Sequence, residues 1–271
     1  MGTLTLGAVA YDSKVVPIWD GFLRFFVYHG LPFDYILFTS YERQVEAHLA
    51  GTIDVAWNSP LAWIEASRAA WRRGAEARTV AMRDTDRDLR SAFVVRADGP
   101  ADLEALDGRK IGVGAGDSPQ ATLIPLDHLA EHGIGVEVVR HDVLLGKHGD
   151  HIGGEREAVR ALLRGEVDAA AILDANLLGF GRDGTLPTGA VRVIGQTGLY
   201  DHCNFTVLHD HPGIPKFTEL LLGMSFHDPA VRPLMEMEGL TAWKPGRTSG
   251  YGLLDRAVDR FGTIESWLAA T

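Results

Sequence analysis

The chain has 271 residues, of which 46% are hydrophobic and 23% are charged, and its formal net charge is −10. This length suits one large domain or two small ones, and the composition excludes intrinsic disorder, fibrous repeats and coiled coils. Because no basic patch is segregated along the chain, the negative charge also argues against nucleic acid or an anionic membrane surface as a partner.

Short apolar runs alternate with longer segments of helical spacing, a pattern typical of an α/β protein with a mainly parallel sheet. The first part of the chain is predicted to form strands at 4–10, 34–38, 53–57 and 79–83, and helices at 15–30, 42–50 and 60–73. A second series has strands at 91–96, 110–114, 136–140, 167–173 and 190–196, and helices at 119–132 and 155–164. An extended run at 204–208 and three C-terminal helical stretches complete the prediction.

The N-terminus leads directly into the first predicted strand, without the basic segment and long apolar run of a secretory signal. No stretch reaches the roughly 18 uninterrupted apolar residues that a membrane-spanning helix needs. We therefore expect no transmembrane segment. The sequence as it stands predicts a cytoplasmic protein, or a periplasmic or extracellular one if an upstream signal was removed.

One local pattern occurs twice along the chain. Residues 47–56 (AHLAGTIDVA) match residues 161–170 (ALLRGEVDAA) in a helix end, a glycine, an aspartate and a small apolar strand. The glycine is predicted to end each helix in the left-handed conformation. The repeat predicts two lobes, residues 1–90 with 206–271 and residues 91–205, which have mixed sheets and are joined by two hinge crossovers. Because ligands in open α/β sheets bind beyond the carboxyl ends of strands, we expect a ligand cleft between the lobes.

Polar turns between predicted strands and helices mark the expected ligand contacts. Such turns lie at residues 11–14, 57–60 and 112–119. In the last two, serine followed by proline is typical of a helix N-cap and first helical residue, where backbone N–H groups favour an anion. The same serines also fit a purely structural role as helix caps.

The segment 116–125 (GDSPQATLIP), the paired glycine–aspartate units and the strand 53–57 (IDVAW) resemble the phosphonate-binding proteins of ABC importers, within the type 2 periplasmic-binding-protein fold. The resemblance covers about residues 4–260. It implies a small anionic ligand, an ABC transporter permease as partner and no cofactor. The ligand-binding residues that we predict are Tyr11, Asp12, Trp57, Asn58, Ser59, Ser118, Gln120, Ala121, Thr122, Glu155 and Asp174.

The chain departs from the family pattern at several of these positions. A serine of the family motif falls on Gln120 and its glycine on Ala121, while a family histidine falls near Glu155 and an acidic hinge residue near Cys203. A glutamate facing a phosphonate dianion repels it unless a proton or a metal intervenes. A phosphonate and another oxyanion or organic acid are therefore both open as ligands.

A second function class is suggested by histidines near the only cysteine, which itself excludes a disulfide framework and cysteine-rich zinc sites. Imidazole, thiolate and carboxylate suit a divalent transition metal, and the candidate ligands are His151, Glu155, His202 and Cys203. Cys203 beside His202 is also a candidate nucleophile with its base. The alternative is thus a cytoplasmic enzyme on the same scaffold, a lyase or hydrolase acting on a small anion. Exposed loop histidines and a packed structural thiol are the simpler interpretation, and the acidic segment 84–88 is expected to be solvated.

Overall fold

The computed structural model describes residues 2–142 and 152–262. The chain divides into two compact units, each assembled from two stretches of sequence. Unit 1 comprises residues 1–87 and 201–251, and unit 2 comprises residues 88–200 and 252–271. The chain therefore passes between the units three times. The predicted lobes, with residues 206–271 in the first, require two passages, and the third arises because the last helix lies in unit 2.

The secondary structure alternates between strands and helices, as the sequence pattern predicts. The strands are β1 (Leu4–Val9), β2 (Phe33–Phe38), β3 (Val55–Asn58), β4 (Arg78–Arg83), β5 (Ser91–Arg96), β6 (Lys110–Val113), β7 (Glu137–Arg140), β8 (Ala169–Leu173), β9 (Val191–Gln196), β10 (Asn204–Val207) and β11 (Trp243–Pro245). The helices are α1 (Val15–Tyr28), α2 (Tyr41–Leu49), α3 (Pro60–Arg72), α4 (Ile124–Glu131), α5 (Ile152–Arg164), α6 (Asp174–Arg182), α7 (Ile214–Leu222), α8 (Arg232–Glu238) and α9 (Gly252–Phe261). A π-helical turn, Pro119–Leu123, precedes α4, and a 3₁₀ turn, Asp84–Asp86, follows β4.

The sheet of unit 1 has the strand order β11-β4-β10-β3-β1-β2. Strands β1, β2 and β3 run parallel, while β10 is antiparallel to both β3 and β4. The last residues of β1 to β4 and the first residue of β10 therefore lie at the same end of the sheet. We call this end the carboxyl end of unit 1.

The sheet of unit 2 has the order β7-β6-β8-β5-β9. Strand β6 is parallel to β7 and β8, and β5 is antiparallel to β8 and β9. The last residues of β6 to β9 and the first residue of β5 define the carboxyl end of unit 2. The segments that follow these strands are where an α/β sheet presents ligand-binding groups.

Aromatic side chains dominate the core of unit 1. Helix α1 buries residues spaced three and four apart, from Val15 to Phe26, because this spacing puts them on one face of the helix. Phe26 packs against Phe217 with ring centroids 5.0 Å apart, and Trp57 packs against Phe205 at 4.6 Å. Burying each such ring stabilises the fold by about 1.5–3 kcal/mol.

The repeated sequence pattern forms the same local structure in both units. Gly51 and Gly165 have φ angles of +72° and +77°, which confirms the predicted left-handed helix ends. Asp54 then accepts the backbone N–H of Thr5 at 2.8 Å, and Asp168 accepts that of Lys110 at 3.1 Å. In each unit the aspartate therefore joins the entry of one strand to the start of the neighbouring parallel strand.

Helix α6 and strand β11 are not predicted from the sequence, and the π-helical turn Pro119–Leu123 replaces the start of a predicted regular helix. The extended run at 204–208 corresponds to β10, and the three C-terminal helical stretches correspond to α7, α8 and α9. Within the described residues, every helix is too short or too polar to cross a bilayer.

Candidate functional site

The predicted site residues lie in both units. Those in unit 1 are Tyr11, Asp12, Trp57, Asn58, Ser59, His202 and Cys203. Those in unit 2 are Ser118, Gln120, Ala121, Thr122, Glu155 and Asp174. His151 lies outside the described residues.

A buried ion pair stands at the carboxyl end of unit 1. Arg83 ends β4 and binds the carboxylate of Asp86 twice, through Nε to Oδ2 at 2.5 Å and through Nη2 to Oδ1 at 2.9 Å. Burial raises the pKa of Asp86, but Arg83 outweighs this effect and, with His202, lowers that pKa to about 2. Asp86 is therefore ionised although it is only 1% exposed.

For Asp86 alone, this burial corrects the expectation that the acidic segment 84–88 is solvated, since Asp84 is half-buried and Asp88 is exposed. Arg83 and Asp86 are site residues that were not predicted from the sequence. The sequence spacing could have indicated this ion pair. Arginine stands at the end of a strand and aspartate follows three residues later in the turn, and such a pair can form a forked ion pair. Arg83 supplies the charge that makes burial of the carboxylate tolerable.

His202 and Cys203 lie beside this ion pair, just before β10. His202 Nδ1 is 3.1 Å from Cys203 Sγ and 3.5 Å from Asp86 Oδ1. Asp86 Oδ1 also accepts the backbone N–H of Cys203 at 3.2 Å. Burial lowers the pKa of His202, but Cys203 and Asp86 outweigh it and raise that pKa to about 10. His202 is therefore an imidazolium at neutral pH.

Arg83 also connects the cluster to a predicted aromatic residue and to α8. Its Nη1 donates to the Glu238 carbonyl oxygen at 2.8 Å, and its guanidinium carbon lies 5.2 Å from the ring centroid of Trp57. Burial raises the pKa of Glu238 to about 7, against the opposing effect of Arg83. Trp57 is itself buried, so its contribution here is a cation–π contact that holds the arginine.

Asn58 belongs to a buried hydrogen-bond chain that ends at His202. Its Oδ1 accepts from Gln44 Nε2 at 2.8 Å, and its Nδ2 donates to Thr206 Oγ1 at 2.9 Å. The chain continues from Thr206 Oγ1 to Asn204 Oδ1, from Asn204 Nδ2 to the Tyr251 hydroxyl, and from that hydroxyl to the His202 carbonyl oxygen. Both polar groups of the Asn58 side chain are thus engaged within the protein, and the residue fixes the backbone at His202.

The remaining predicted residues of unit 1 have local contacts. Asp12 accepts the backbone N–H of Lys14 at 2.8 Å, and the Lys14 ammonium lies 5.6 Å from the ring centroid of Tyr11. Tyr11 is 40% exposed. Ser59 is the N-cap of α3 and accepts the backbone N–H of Ala62 at 3.2 Å. The turn at Tyr11 is therefore open to solvent, whereas the Ser59 hydroxyl oxygen is occupied as the N-cap of α3.

The segment 118–122 of unit 2 is buried and forms its own hydrogen bonds. Ser118 caps the π-helical turn by accepting the N–H of Ala121 at 3.2 Å, and Thr122 Oγ1 donates to the Ala115 carbonyl oxygen at 2.7 Å. The Gln120 carbonyl oxygen accepts from the Ser91 hydroxyl at 2.5 Å. These bonds hold the loop after β6 in one conformation.

A fully buried carboxylate, Glu155, faces that segment. Its Oε1 accepts from Gln120 Nε2 at 3.2 Å, and its Oε2 accepts from the Leu173 backbone N–H at 2.8 Å and from Asn176 Nδ2 at 3.0 Å. Asp174 begins α6, and its carboxylate accepts the N–H of Ala175 at 2.7 Å. N–H groups from three elements of unit 2 therefore hold the Glu155 carboxylate.

Metal-binding capacity is greatest at the carboxyl end of unit 1. Within the described residues, one group of candidate ligand atoms lies within 4.8 Å, from Asp86, His202 and Cys203. The sequence prediction put Glu155 and His151 in this set, but the carboxylate that joins the pair is Asp86. Because Arg83 already binds both oxygens of Asp86, its guanidinium opposes the addition of another cation.

The sequence matches, over residues 25–251, the family described as "ABC transporter, phosphonate, periplasmic substrate-binding protein". No curated protein sequence matches the chain significantly. Among solved structures, PhnD1 from Prochlorococcus marinus in complex with methylphosphonate is 16% identical, with a TM-score of 0.67 over 97% of this chain and 99% of its own. The protein XAC2383 from Xanthomonas citri bound to ATP is 17% identical, with a TM-score of 0.70 over 96% and 98%.

The aliphatic sulphonate binding protein SsuA from Escherichia coli is 20% identical, with a TM-score of 0.54 over 100% of this chain and 94% of its own. At these identities the likeness concerns the fold. It confirms the predicted α/β fold of the type 2 periplasmic-binding-protein class, with a mixed sheet in each unit.

Proposed function

Because the chain belongs to the family of periplasmic phosphonate-binding proteins of ABC transporters, we propose that it binds a small organic oxyanion in the periplasm and delivers it to an ABC transporter permease. Solute binding is the role of this family. Two structural relatives support an oxyanion as the solute, since one holds methylphosphonate and another is named for aliphatic sulphonates. No cofactor is needed for such a role.

The observation that supports an anionic ligand is the position of the His202 ring at the carboxyl end of unit 1, next to the Asp86 carboxylate and Cys203, which outweigh burial and raise its pKa. Its Nδ1 is engaged by Cys203 and Asp86, and its side chain is 22% exposed. In the imidazolium form the second ring nitrogen, Nε2, also carries a hydrogen. That hydrogen makes no bond to another described residue, so it can donate a charge-assisted hydrogen bond to an oxyanion.

Helix N-termini at the same end of the unit 1 sheet add to this preference. Helix α2 begins after Ser40 at the end of β2, and α3 begins after Ser59 at the end of β3. Each helix presents the positive end of its dipole there, and such an end favours an anion. The helix dipoles and the His202 imidazolium therefore both favour an anionic ligand at this end of the sheet.

The enzymatic alternative uses the same histidine and cysteine, but their geometry favours binding. In a catalytic triad the acid and the nucleophile contact opposite ring nitrogens of the histidine. Here Cys203 Sγ and Asp86 Oδ1 both lie nearest to Nδ1. His202 therefore cannot take a proton from the thiol at one nitrogen while the carboxylate orients the other.

Isothermal titration calorimetry with methylphosphonate, phosphate and ethanesulfonate tests the proposal. We expect at least one of them to bind, and His202→Gln to weaken that binding by about tenfold or more, because a hydrogen bond to a charged group contributes about 1.5–3 kcal/mol. His227→Gln, an exposed histidine of the same unit, is the matched control. Absence of binding by all three anions, or unchanged affinity in His202→Gln, contradicts the proposal.

A further inference from the structure

Two histidines stand one turn apart at the end of helix α4 in unit 2. His128 lies in the last turn of the helix, and His132 is its C-cap. Residues four apart lie on the same face of a helix, one above the other. The ring centroids are accordingly 4.4 Å apart, with the ring planes at 45°. His132 is exposed and His128 is half-buried, so a dissolved ion can reach the two rings.

The helix backbone fixes the hydrogen position on the His132 ring. Its Nδ1 lies 2.7 Å from the His128 carbonyl oxygen. Because a carbonyl oxygen only accepts hydrogen bonds, Nδ1 carries the hydrogen, and the lone pair of the neutral ring lies on Nε2. Metal-binding histidines typically donate their other ring N–H to a backbone carbonyl in this way, which orients the ring and makes the free nitrogen a better ligand.

The ring of His128 is held by a different contact. It stacks on Phe93 of β5, with ring centroids 5.6 Å apart and an interplanar angle of 26°. Phe93 is fully buried, so it forms a rigid base for the imidazole. Among the described residues, no hydrogen-bond partner holds the His128 ring nitrogens. One nitrogen of the neutral ring therefore has a lone pair available to a ligand.

The distance between the two rings suits a metal ion held by both. A metal lies about 2.0 Å from an imidazole nitrogen and thus about 3.2 Å from the centre of the ring. Two imidazoles that coordinate at a right angle therefore have centres about 4.5 Å apart, whereas the tetrahedral angle separates the centres by about 5.2 Å. The observed 4.4 Å matches the right angle, which is the geometry of tetragonal Cu²⁺ and Ni²⁺ sites.

The charges around the two histidines permit a bound cation. Arg256 binds Asp127 and Glu131 at 2.8 and 2.6 Å, and Arg260 binds Asp127 at 2.5 Å. Each guanidinium is thus matched by a carboxylate, and the C-terminal end of α4 adds the negative end of the helix dipole, which favours a cation. The three-residue group at the carboxyl end of unit 1 differs, because there the Arg83 guanidinium occupies the carboxylate.

We propose that His128 and His132 form a two-nitrogen site for a divalent late transition metal that prefers right-angled coordination, Cu²⁺ or Ni²⁺, with water in the remaining positions. The inference is independent of the proposed function, since the site lies at the end of α4 farthest from the π-helical turn and requires no solute. It is also separate from the metal set predicted from the sequence, which contains neither residue.

Isothermal titration calorimetry of the full chain with NiCl₂ and, separately, with ZnCl₂ tests the site. We expect one equivalent of Ni²⁺ to bind, more tightly than Zn²⁺. His128→Gln and His132→Gln should each weaken Ni²⁺ binding by about tenfold or more, because each removes one of the two protein ligands. His29→Gln is the matched control, since the His29 Nδ1 makes the same contact with the Phe25 carbonyl oxygen, at 2.8 Å, but has no second imidazole one turn away.

Electron paramagnetic resonance with one equivalent of Cu²⁺ adds a structural readout. The spectrum should show coupling to two nitrogen nuclei, and His132→Gln should lose this pattern. Melting temperatures measured without metal confirm that the variants fold, and the exposed His132 decides the outcome if His128→Gln does not fold. Unchanged Ni²⁺ affinity in the folded variants, or tighter binding of Zn²⁺ than of Ni²⁺, overturns the proposal. Loss of binding in His202→Gln alone also overturns it, because the metal then lies with Asp86 and Cys203.

Discussion

At the scale of single residues, the charge on His202 distinguishes this cluster from an ordinary surface histidine. Its pKa of about 10 lies well above the usual 6.5, so protonation stabilises the folded state fully below pH 6.5 and this contribution fades as the pH rises through 10. NMR titration of the imidazole resonances should show no transition for this ring near neutrality. Asp86→Asn should lower its pKa, because the substitution removes one of the two groups that raise it.

The anion affinity should follow the same titration. Binding of whichever probe anion is retained should be constant through neutral pH and should weaken as the pH approaches 10. Calorimetry at a series of pH values measures this. A decline in affinity centred near the ordinary histidine pKa would contradict the assigned charge state.

The pKa of His48 is lowered, whereas that of His202 is raised. His48 is fully buried in α2, and burial lowers its pKa from 6.5 to about 4. The unfolded chain therefore takes up the proton first, and stability present above pH 6.5 is lost as the pH falls toward 4. At about pH 4.5 this residue alone should cost about 2–3 kcal/mol of unfolding free energy.

Urea unfolding of the protein and of His48→Met, near neutrality and at about pH 4.5, isolates this effect from the titration of carboxylates. The variant should lose less stability on acidification than the parent. His227→Gln, an exposed histidine, should leave the acid sensitivity unchanged. Equal acid sensitivity in His48→Met and the parent would show that His48 does not titrate as expected.

At the scale of secondary-structure elements, the repeated aspartates predict similar effects in the two units. Asp54→Ala removes the acceptor for Thr5 N–H and should destabilise the protein by about 1–2 kcal/mol, and Asp168→Ala should do the same through Lys110 N–H but to a smaller extent. The second effect is smaller because the Asp168 side chain is 32% exposed. Urea unfolding measures both, with the exposed Asp98→Ala as the control.

The elements that the sequence did not reveal have physical reasons for escaping detection. Helix α6 contains Gly179 and Gly181, which lower helix propensity, and packing in unit 2 overrides that weakness. Strand β11 is three residues long and ends in Pro245, which is tolerated because the strand lies at the edge of its sheet. Long periodic segments such as α1 were predicted well because their apolar spacing is unambiguous.

The candidate site likewise contains residues that the sequence predicts and residues that it does not. His202 and Cys203 were predicted together because they are adjacent in sequence. Asp86 is 117 residues from Cys203, and only the sheet order, which puts β10 beside β4, brings them together. Sequence spacing could not show that Asp86 is an acidic partner of the pair.

At the scale of the whole molecule, α9 belongs to unit 2, whereas the sequence pattern predicts it in the first lobe. Arg256 and Arg260 bind the buried Asp127 carboxylate from this helix, at 2.8 and 2.5 Å. Replacing both arginines with alanine leaves a buried charge uncompensated. Because the arginines are partly exposed, we expect a loss of about 2 kcal/mol, or roughly 4–8 °C in melting temperature.

Differential scanning calorimetry of Arg256→Ala/Arg260→Ala measures this loss. Arg232→Ala removes an exposed pair with Glu236 on α8 and is the control, which should change the melting temperature little. A melting temperature equal to that of the parent would mean that α9 does not stabilise unit 2 through this ion pair.

The position of β10 in the sheet limits how far unit 1 can fold while the protein is being synthesised. It lies between β3 and β4, yet it begins at residue 204, whereas β4 ends at residue 83. During synthesis β3 and β4 therefore leave the ribosome before β10, the strand that pairs with both of them. Their facing edges remain unpaired until residues 88–200 of unit 2 have also been synthesised. Unpaired strand edges readily pair with those of other chains. A nascent chain that is kept unfolded until its last residues are released avoids this hazard.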